Sequence, residues 1–357
     1  MAAQENHVLQ LSLFETPDNR QSNYTALFDL APRYLPRTER KKETAFLDGV
    51  YREFTFDGEQ YALSITPARI RDPITGVEKD KLPGEREQLV EDVIRKLASE
   101  SLQLGQQDEV ITNFTVHAIY LELKKHRHTF NKAEIKEALQ VLHRSVIEIT
   151  KVTKKGERKQ KAIVSASVFP ALYMRDVDDP TSKAQVQLNP FLAQAIKSLA
   201  FEQVDYEWMM QIKGQMTRWL FKSVSLMFAG TPNMPEVMEI KASDIAKNHG
   251  TEWSRWRDAL AHVQRSVTQL KDVNVCDDIL SKDVMEGSKK TDVIYTLRFS
   301  QKFLRDRRMA KAKHDFVTKK AEAATGGAKL ERWHQITAEA AAGIRMDQRK
   351  ELSTLAH

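Results

Sequence analysis

Two stretches of this 357-residue chain, 110–169 and 237–299, repeat one plan: a short helix, a polar turn, an amphipathic helix with basic residues, then two strands around a charged loop. In the first stretch the pattern predicts a short helix over 116–125 and a turn at Thr129-Phe130-Asn131. Asn131 with Glu134 three residues on forms a capping-box pattern. The helix it opens aligns Ile135, Leu139, Leu142 and Val146 on one apolar face. Strands over 147–152 and 162–169 flank a loop at 153–161. In the second stretch a strand over 237–240 leads to Ser243, read as the N-cap of a short helix over 244–248. Asn248-His249-Gly250 is the turn. A helix over 252–270 follows, with Trp253, Trp256, Leu260, Val263 and Val267 as its buried stripe. Strands over 273–280 and 292–299 flank a loop at 281–290.

A helix-turn-helix followed by a hairpin is the outline of a winged helix, a motif that sets its second helix into the major groove of DNA. The expected fold class is therefore α+β, two tandem winged-helix domains with a disordered N-terminal tail and a basic C-terminal extension. Residues 1–45 read as the tail, rich in Gln, Asn, Thr and charge and broken by Pro17, Pro32 and Pro36. The first domain spans 46–200. It opens with strands over 49–66 split at Asp57-Gly58, then a helix over 85–99 bearing Leu89, Val93, Ile94 and Leu97. A strand over 185–188 leads into a helix beginning near Pro190. The second domain spans 201–300 and starts with one long helix over 206–228. Residues 301–357 form a basic and then Ala-rich extension, in which 302–320 holds Lys302, Arg305, Arg307, Arg308, Lys311, Lys313, Lys319 and Lys320. The end, 321–357, reads as a frayed helix or as disorder.

The helix after each turn is the candidate reader of DNA. Lys132, Lys136, Gln140 and Arg144 lie off the apolar stripe in the first; Ser254, Arg255, Arg257, Asp258, Gln264 and Arg265 do so in the second. The guanidinium fork of Arg matches the major-groove edge of guanine, whereas Lys more often holds phosphate. The competing reading is a solvated face, since any amphipathic helix sets charge opposite its stripe. Recurrence of the layout in both units favours docking. Lys154, Lys155, Arg158, Lys159 and Lys161 crowd the first loop, and Lys282, Lys289 and Lys290 sit in the second. Such tips suit phosphate contact, which makes binding steeply salt-dependent; a solvated hairpin tip is the alternative. Trp208, Trp219, Trp253 and Trp256 fall on apolar stripes and read as core.

The net charge of +6 favours a polyanionic partner without setting specificity. Cys276 is the single cysteine, which excludes an internal disulfide and a cysteine-rich zinc cluster and fits a reducing cytoplasm. The N-terminus lacks a signal-peptide pattern, and the apolar segment around 219–229 carries Lys222 and is too short to cross a bilayer. Catalytic motifs are missing: no P-loop, no His-Glu-x-x-His, no Gly-x-Ser-x-Gly. His126-Arg127-His128 superficially resembles the His-apolar-His pair of DNA-nicking enzymes. Its middle residue is Arg and it sits at a helix end, so it reads as a surface pair. No spacing of Asp and Glu argues for a metal site. No catalytic residue, metal or cofactor is expected.

The tail holds one conspicuous element, Gln10-Leu11-Ser12-Leu13-Phe14. A Leu-x-Leu-Phe cluster in a polar tail buries nothing locally, so a partner is its use. It matches the Gln-Leu-Ser/Asp-Leu-Phe peptide with which bacterial proteins dock on the sliding clamp. With this peptide, the Gln187-Leu188-Asn189-Pro190 junction and the Trp256-Arg257 helix in that order, the chain resembles the replication initiator (Rep) proteins of iteron-containing bacterial plasmids over most of 8–299. The resemblance implies a non-enzymatic protein that binds tandem repeats in double-stranded origin DNA and promotes melting of an adjacent AT-rich segment. It also implies recruitment of the sliding clamp and replicative helicase, with a homodimer as the inactive state and a monomer on DNA. The second domain would be the main reader and the first would add contacts and the dimer interface. The extension after Phe299 is not explained by the family pattern. A winged-helix repressor, a rolling-circle nickase and a protein-interaction module are the alternatives.

Overall fold

The computed structural model describes residues 21–36, 46–56, 58–72, 75–100, 103–104, 110–152, 163–176, 179, 181–197, 201–227 and 235–324. Its first described element corrects the reading of 1–45 as tail. Strand β1 (Gln21–Tyr24) and helix α1 (Ala26–Leu30) belong to the core. Tyr24, Leu27, Phe28, Ala31 and Leu35 are buried, and so is Arg33. Polar composition disguised this segment because its charges are paired. Arg33 forms ion pairs with Asp29 and Glu91, while its guanidinium lies 3.7 Å from the Phe28 ring centroid.

The first unit is more elaborate than its sequence plan. A hairpin of β2 (Val50–Phe56) and β3 (Glu59–Thr66) is followed by a small one, β4 (Ala68–Arg71) with β5 (Glu78–Lys81). Helix α2 (Glu85–Glu100) then runs through the centre of the molecule with most of its side chains buried. Strands β6 (Gln103–Leu104) and β7 (Val110–Thr115) lead to α3 (Val116–Lys125) and α4 (Lys132–Arg144). Both halves of the capping box are present at Asn131 and Glu134. Helix α4 ends at Arg144, so Val146 is not on its buried face; it opens β8 (Val146–Lys151) and is exposed. Strand β9 (Ile163–Ala166) pairs with β8, and β3 and β2 extend this hairpin into a sheet of order β2-β3-β8-β9. Strand β7 departs from the winged-helix plan. It pairs with β11 (Lys183–Gln187) in the sheet β10-β11-β7-β6, where β10 is Leu172–Met174. Helix α5 (Pro190–Lys197) and strand β12 (Glu202–Asp205) close the unit, β12 pairing with β1.

The second unit keeps the plan more closely. The single helix expected over 206–228 is two, α6 (Tyr206–Gln211) and α7 (Gln215–Met227). A buried side chain holds the break open: Arg218 Nη1 donates to the carbonyls of Ile212 (2.7 Å) and Lys213 (3.0 Å), replacing helical amide donors. Strand β13 (Val237–Lys241), helices α8 (Ala242–His249) and α9 (Trp256–Asp272), and the hairpin β14 (Cys276–Glu286) with β15 (Lys289–Phe299) follow. The sheet order β13-β15-β14 completes the winged helix. Ser243 lies inside α8, not at its N-cap, because its hydroxyl donates to Asp292 Oδ2 at 2.5 Å. Gly250 ends α8 in the left-handed conformation that favours glycine at this position. Residues 281–290 are mostly paired strand, not loop, so the wing is a long ribbon with its turn at Gly287. The basic run lies on α10 (Gln301–Ala324).

One continuous apolar core runs through both units. Polar contacts join them as well. Lys222 of α7 pairs with Asp92 of α2 at 2.6 Å, and Arg218 with Glu85 at 2.6 Å. Burial pushes the Glu91 carboxyl up, but Arg33, Arg95 and Lys222 outweigh it and hold it below its ordinary range. Such pairs add little net stability, yet removing one partner costs about 3–5 kcal/mol. The last turn of α8 rests on β2: the Thr55 N–H donates to Asn248 Oδ1 at 3.0 Å. Among the described residues no helix is long and apolar enough to cross a membrane.

Candidate nucleic-acid interface

Helix α9 buries Ala259, Val263, Ser266, Val267 and Leu270 and turns the opposite face outward. Ser254, Arg255, Arg257, Gln264 and Arg265 are all exposed, and Asp258 is half-buried. Arg255 Nε donates to Asp258 Oδ2 at 2.8 Å, which fixes the guanidinium while leaving its terminal nitrogens available. Arg257 and Arg265 make no ion pair with described residues, so their charge faces solvent undiminished. The uncapped, positive N-terminal end of α9 lies beside Arg255 and Arg257 and favours phosphate, whereas Arg265 stands more than two turns further along. Burial and the charge of Arg265 depress the His262 imidazole, so this face carries its positive charge on arginine.

The tryptophans separate into two roles. Trp208 and Trp219 are core, and the half-buried Trp253 packs against it. Trp256 is a correction: it is 37 % exposed, and its indole N–H donates to the Thr291 carbonyl at 2.7 Å. It therefore ties the first turn of α9 to the wing. A stripe position read from periodicity lost its burial because α9 begins at Trp256, four residues later than the helix expected over 252–270.

On the wing, Lys282, Lys289 and Lys290 are exposed, but Lys290 pairs with Asp283 at 2.6 Å. Acidic neighbours thus moderate the ribbon. The basic run of α10 is not uniformly solvated. Lys302, Arg305, Arg308 and Lys319 are exposed, whereas Arg307 is buried and donates to the Gln203 carbonyl, with Glu202 beside it. Burial lowers the Arg307 pKa and Glu202 opposes that shift. Arg307 anchors α10 to β12 and cannot reach phosphate.

Helix α4 of the first unit is arranged differently. Lys132, Lys136 and Gln140 are only half-exposed. The β4–β5 hairpin lies across the helix: Arg144 Nη1 donates to the Arg69 carbonyl at 2.9 Å, and Glu137 holds both Lys81 and Arg86. Sequence periodicity gave the two helices equal standing; the hairpin that partly covers one of them removes that equivalence. Lys154, Lys155, Arg158 and Lys159 of the first wing and the peptide Gln10, Leu11, Ser12, Leu13 and Phe14 lie outside the described residues. His126 and His128 do not form a pair. His126 Nε2 lies 3.2 Å from Glu122, and His128 Nε2 lies 3.2 Å from the Met210 carbonyl.

No family model and no curated protein matches this chain. Its structural neighbours include a crystal structure of domains 2 and 3 of RctB, at 9 % identity and a TM-score of 0.48, covering 77 % of this chain and 96 % of that one. A second structure of RctB domains 2–3 matches at 8 % identity and a TM-score of 0.47, covering 80 % of this chain and 99 % of that one. The Pi initiator protein in complex with iteron DNA matches at 10 % identity and a TM-score of 0.41, over 60 % of this chain and 91 % of that one.

Proposed function

We propose that this protein is a non-enzymatic initiator of plasmid DNA replication that binds tandem origin repeats. The observation that carries the reading is the open arginine face of α9 on a complete winged helix: Arg255 is braced, and Arg257 and Arg265 make no ion pair among the described residues. The second unit is the main reader of base edges, with Lys289 and Lys290 of its wing on flanking phosphate. The first unit adds backbone contacts through Lys132, Lys136 and the basic loop at 153–161. Summed over several repeats, such contacts can offset the cost of bending and opening adjacent AT-rich DNA. The Gln10–Phe14 peptide supports recruitment of the sliding clamp, and an inactive dimer and helicase loading follow from the same resemblance.

Footprinting on the DNA flanking its own gene, at two salt concentrations, tests this reading. Protected direct repeats of about two helical turns that persist at the higher salt are expected. Uniform protection erased by salt would remove it, because charge alone gives that result. A dedicated repressor would protect the same kind of site but would not support replication of an origin plasmid in trans.

A further inference from the structure

At the C-terminal end of α3, one cluster gathers ligating groups from both units. Glu122 and His126 are spaced four residues apart along α3 and its C-terminal cap, so both project from one face. Glu207, in the first turn of α6, reaches them from the second unit. His126 Nε2 lies 3.2 Å from Glu122 Oε1 and 3.7 Å from Glu207 Oε2, and one ligating atom of each residue lies within 4.8 Å of the others. In a tetrahedral zinc site with ligands at about 2.0–2.2 Å, neighbouring ligand atoms stand roughly 3.3–3.6 Å apart. Rotamer adjustment of the carboxylates is enough to close the difference.

Two further observations concern the same place. Tyr206 is fully buried, with its ring edge-on to the His126 imidazole at 5.6 Å between centroids and its hydroxyl directed at Glu122. The cation there is Lys125, whose Nζ lies 2.5 Å from Glu207 Oε1 and 3.6 Å from Glu122 Oε1. Its side chain is 53 % exposed, against 5 % for His126, so it can swing into solvent at little cost.

We propose that Glu122, His126 and Glu207 form a binding site for a divalent transition-metal ion of the zinc class, which Lys125 occupies as an internal cation in the metal-free protein. One imidazole nitrogen with two carboxylate oxygens is a donor set that zinc accepts while keeping a fourth position open. Magnesium fits poorly, because it favours near-octahedral oxygen ligation and keeps its waters. The Tyr206 hydroxyl is placed to donate to a ligating carboxylate, the supporting contact such sites use to fix their ligands. Because the ligands come from both units, an ion here stabilises the arrangement in which α3 sits on α6. The site is independent of the DNA-binding reading.

The test uses the untagged, chelator-stripped full chain, titrated with Zn2+ by calorimetry, with Co2+ absorption as a report on coordination. One saturable equivalent is expected, weakened about tenfold or more in H126Q and in E207Q. H128Q should leave it unchanged. K125A should tighten it, a gain that damage to the fold cannot produce. Absence of saturable binding in both wild type and K125A overturns the proposal. So does binding indifferent to H126Q and E207Q, which would assign the ion to other histidines.

Discussion

Replacing Gly250 with alanine adds one methyl group at the turn between α8 and α9, where the second unit meets the segment 21–36 and β2. Gly250 has φ +73°, and a Cβ there would stand 2.6 Å from Pro32 Cβ and 2.9 Å from Arg52 Cδ. The left-handed conformation costs an alanine about 1–2 kcal/mol. Contact so far inside the usual 3.5–4.0 Å separation forces Pro32 or the turn to move, an overpacking cost of about 1–3 kcal/mol. The sum is a destabilisation of about 2–5 kcal/mol. Gly287 supplies the control, since it has φ +61° with nothing within 4 Å of an added Cβ. Gly287→Ala should therefore cost the conformational part alone, about 1–2 kcal/mol. Gly250→Asn keeps the clash but tolerates the left-handed backbone, and should fall between the two. Urea unfolding of the three variants at neutral pH measures the order. If Gly250→Ala matches Gly287→Ala within about 0.5 kcal/mol, the contact with Pro32 and Arg52 does not exist and the packing of residues 21–36 against the turn is wrong.

Arg257→Ala should weaken binding to the footprinted repeat by about 1–3 kcal/mol and leave random-sequence binding nearly unchanged, measured by competition titration; equal loss on both would deny it a base contact. Leu13→Ala with Phe14→Ala should abolish capture of the sliding clamp at unchanged DNA affinity, and retained capture would refute the peptide's assignment. His249 is buried beside Arg52, and burial first, then that charge, pushes its imidazole down to about 3. The unfolded chain binds this proton below about pH 6.5 while the folded one does not, so the contribution is intact at neutral pH and is lost between pH 6.5 and 3, amounting to about 2 kcal/mol by pH 5. The pH 7 to pH 5 shift in urea midpoint should be smaller in His249→Gln than in wild type; an equal shift would show that His249 is accessible to protons in the fold.

The sequence by itself determined the elements whose signals are local. The capping box at Asn131 and Glu134, the glycine that ends α8, and the apolar stripes of α4 and α9 depend on neighbours within a turn or two, so they were legible in order and place except at the helix ends, where Val146 and Trp256 are exposed. The outward arginines of α9 were legible for the same reason, as the complement of its stripe. Tertiary structure alone decided what those elements meet. Strand β7 pairs with β11 instead of its hairpin, and β1 with β12 across most of the first unit. Arg218 breaks a helix that periodicity ran straight through, and the β4–β5 hairpin partly covers α4 while leaving α9 open. Residues 21–36 looked like tail because a buried ion pair has the composition of a solvated one. No ligand spacing was legible in the sequence, where His126 reads as a surface residue: Glu207 reaches Glu122 and His126 from 81 positions further along the chain, and sequence pattern carries no term for such a meeting. Periodicity reports which face of an element is apolar; the partner that covers or exposes the other face is set by long-range packing.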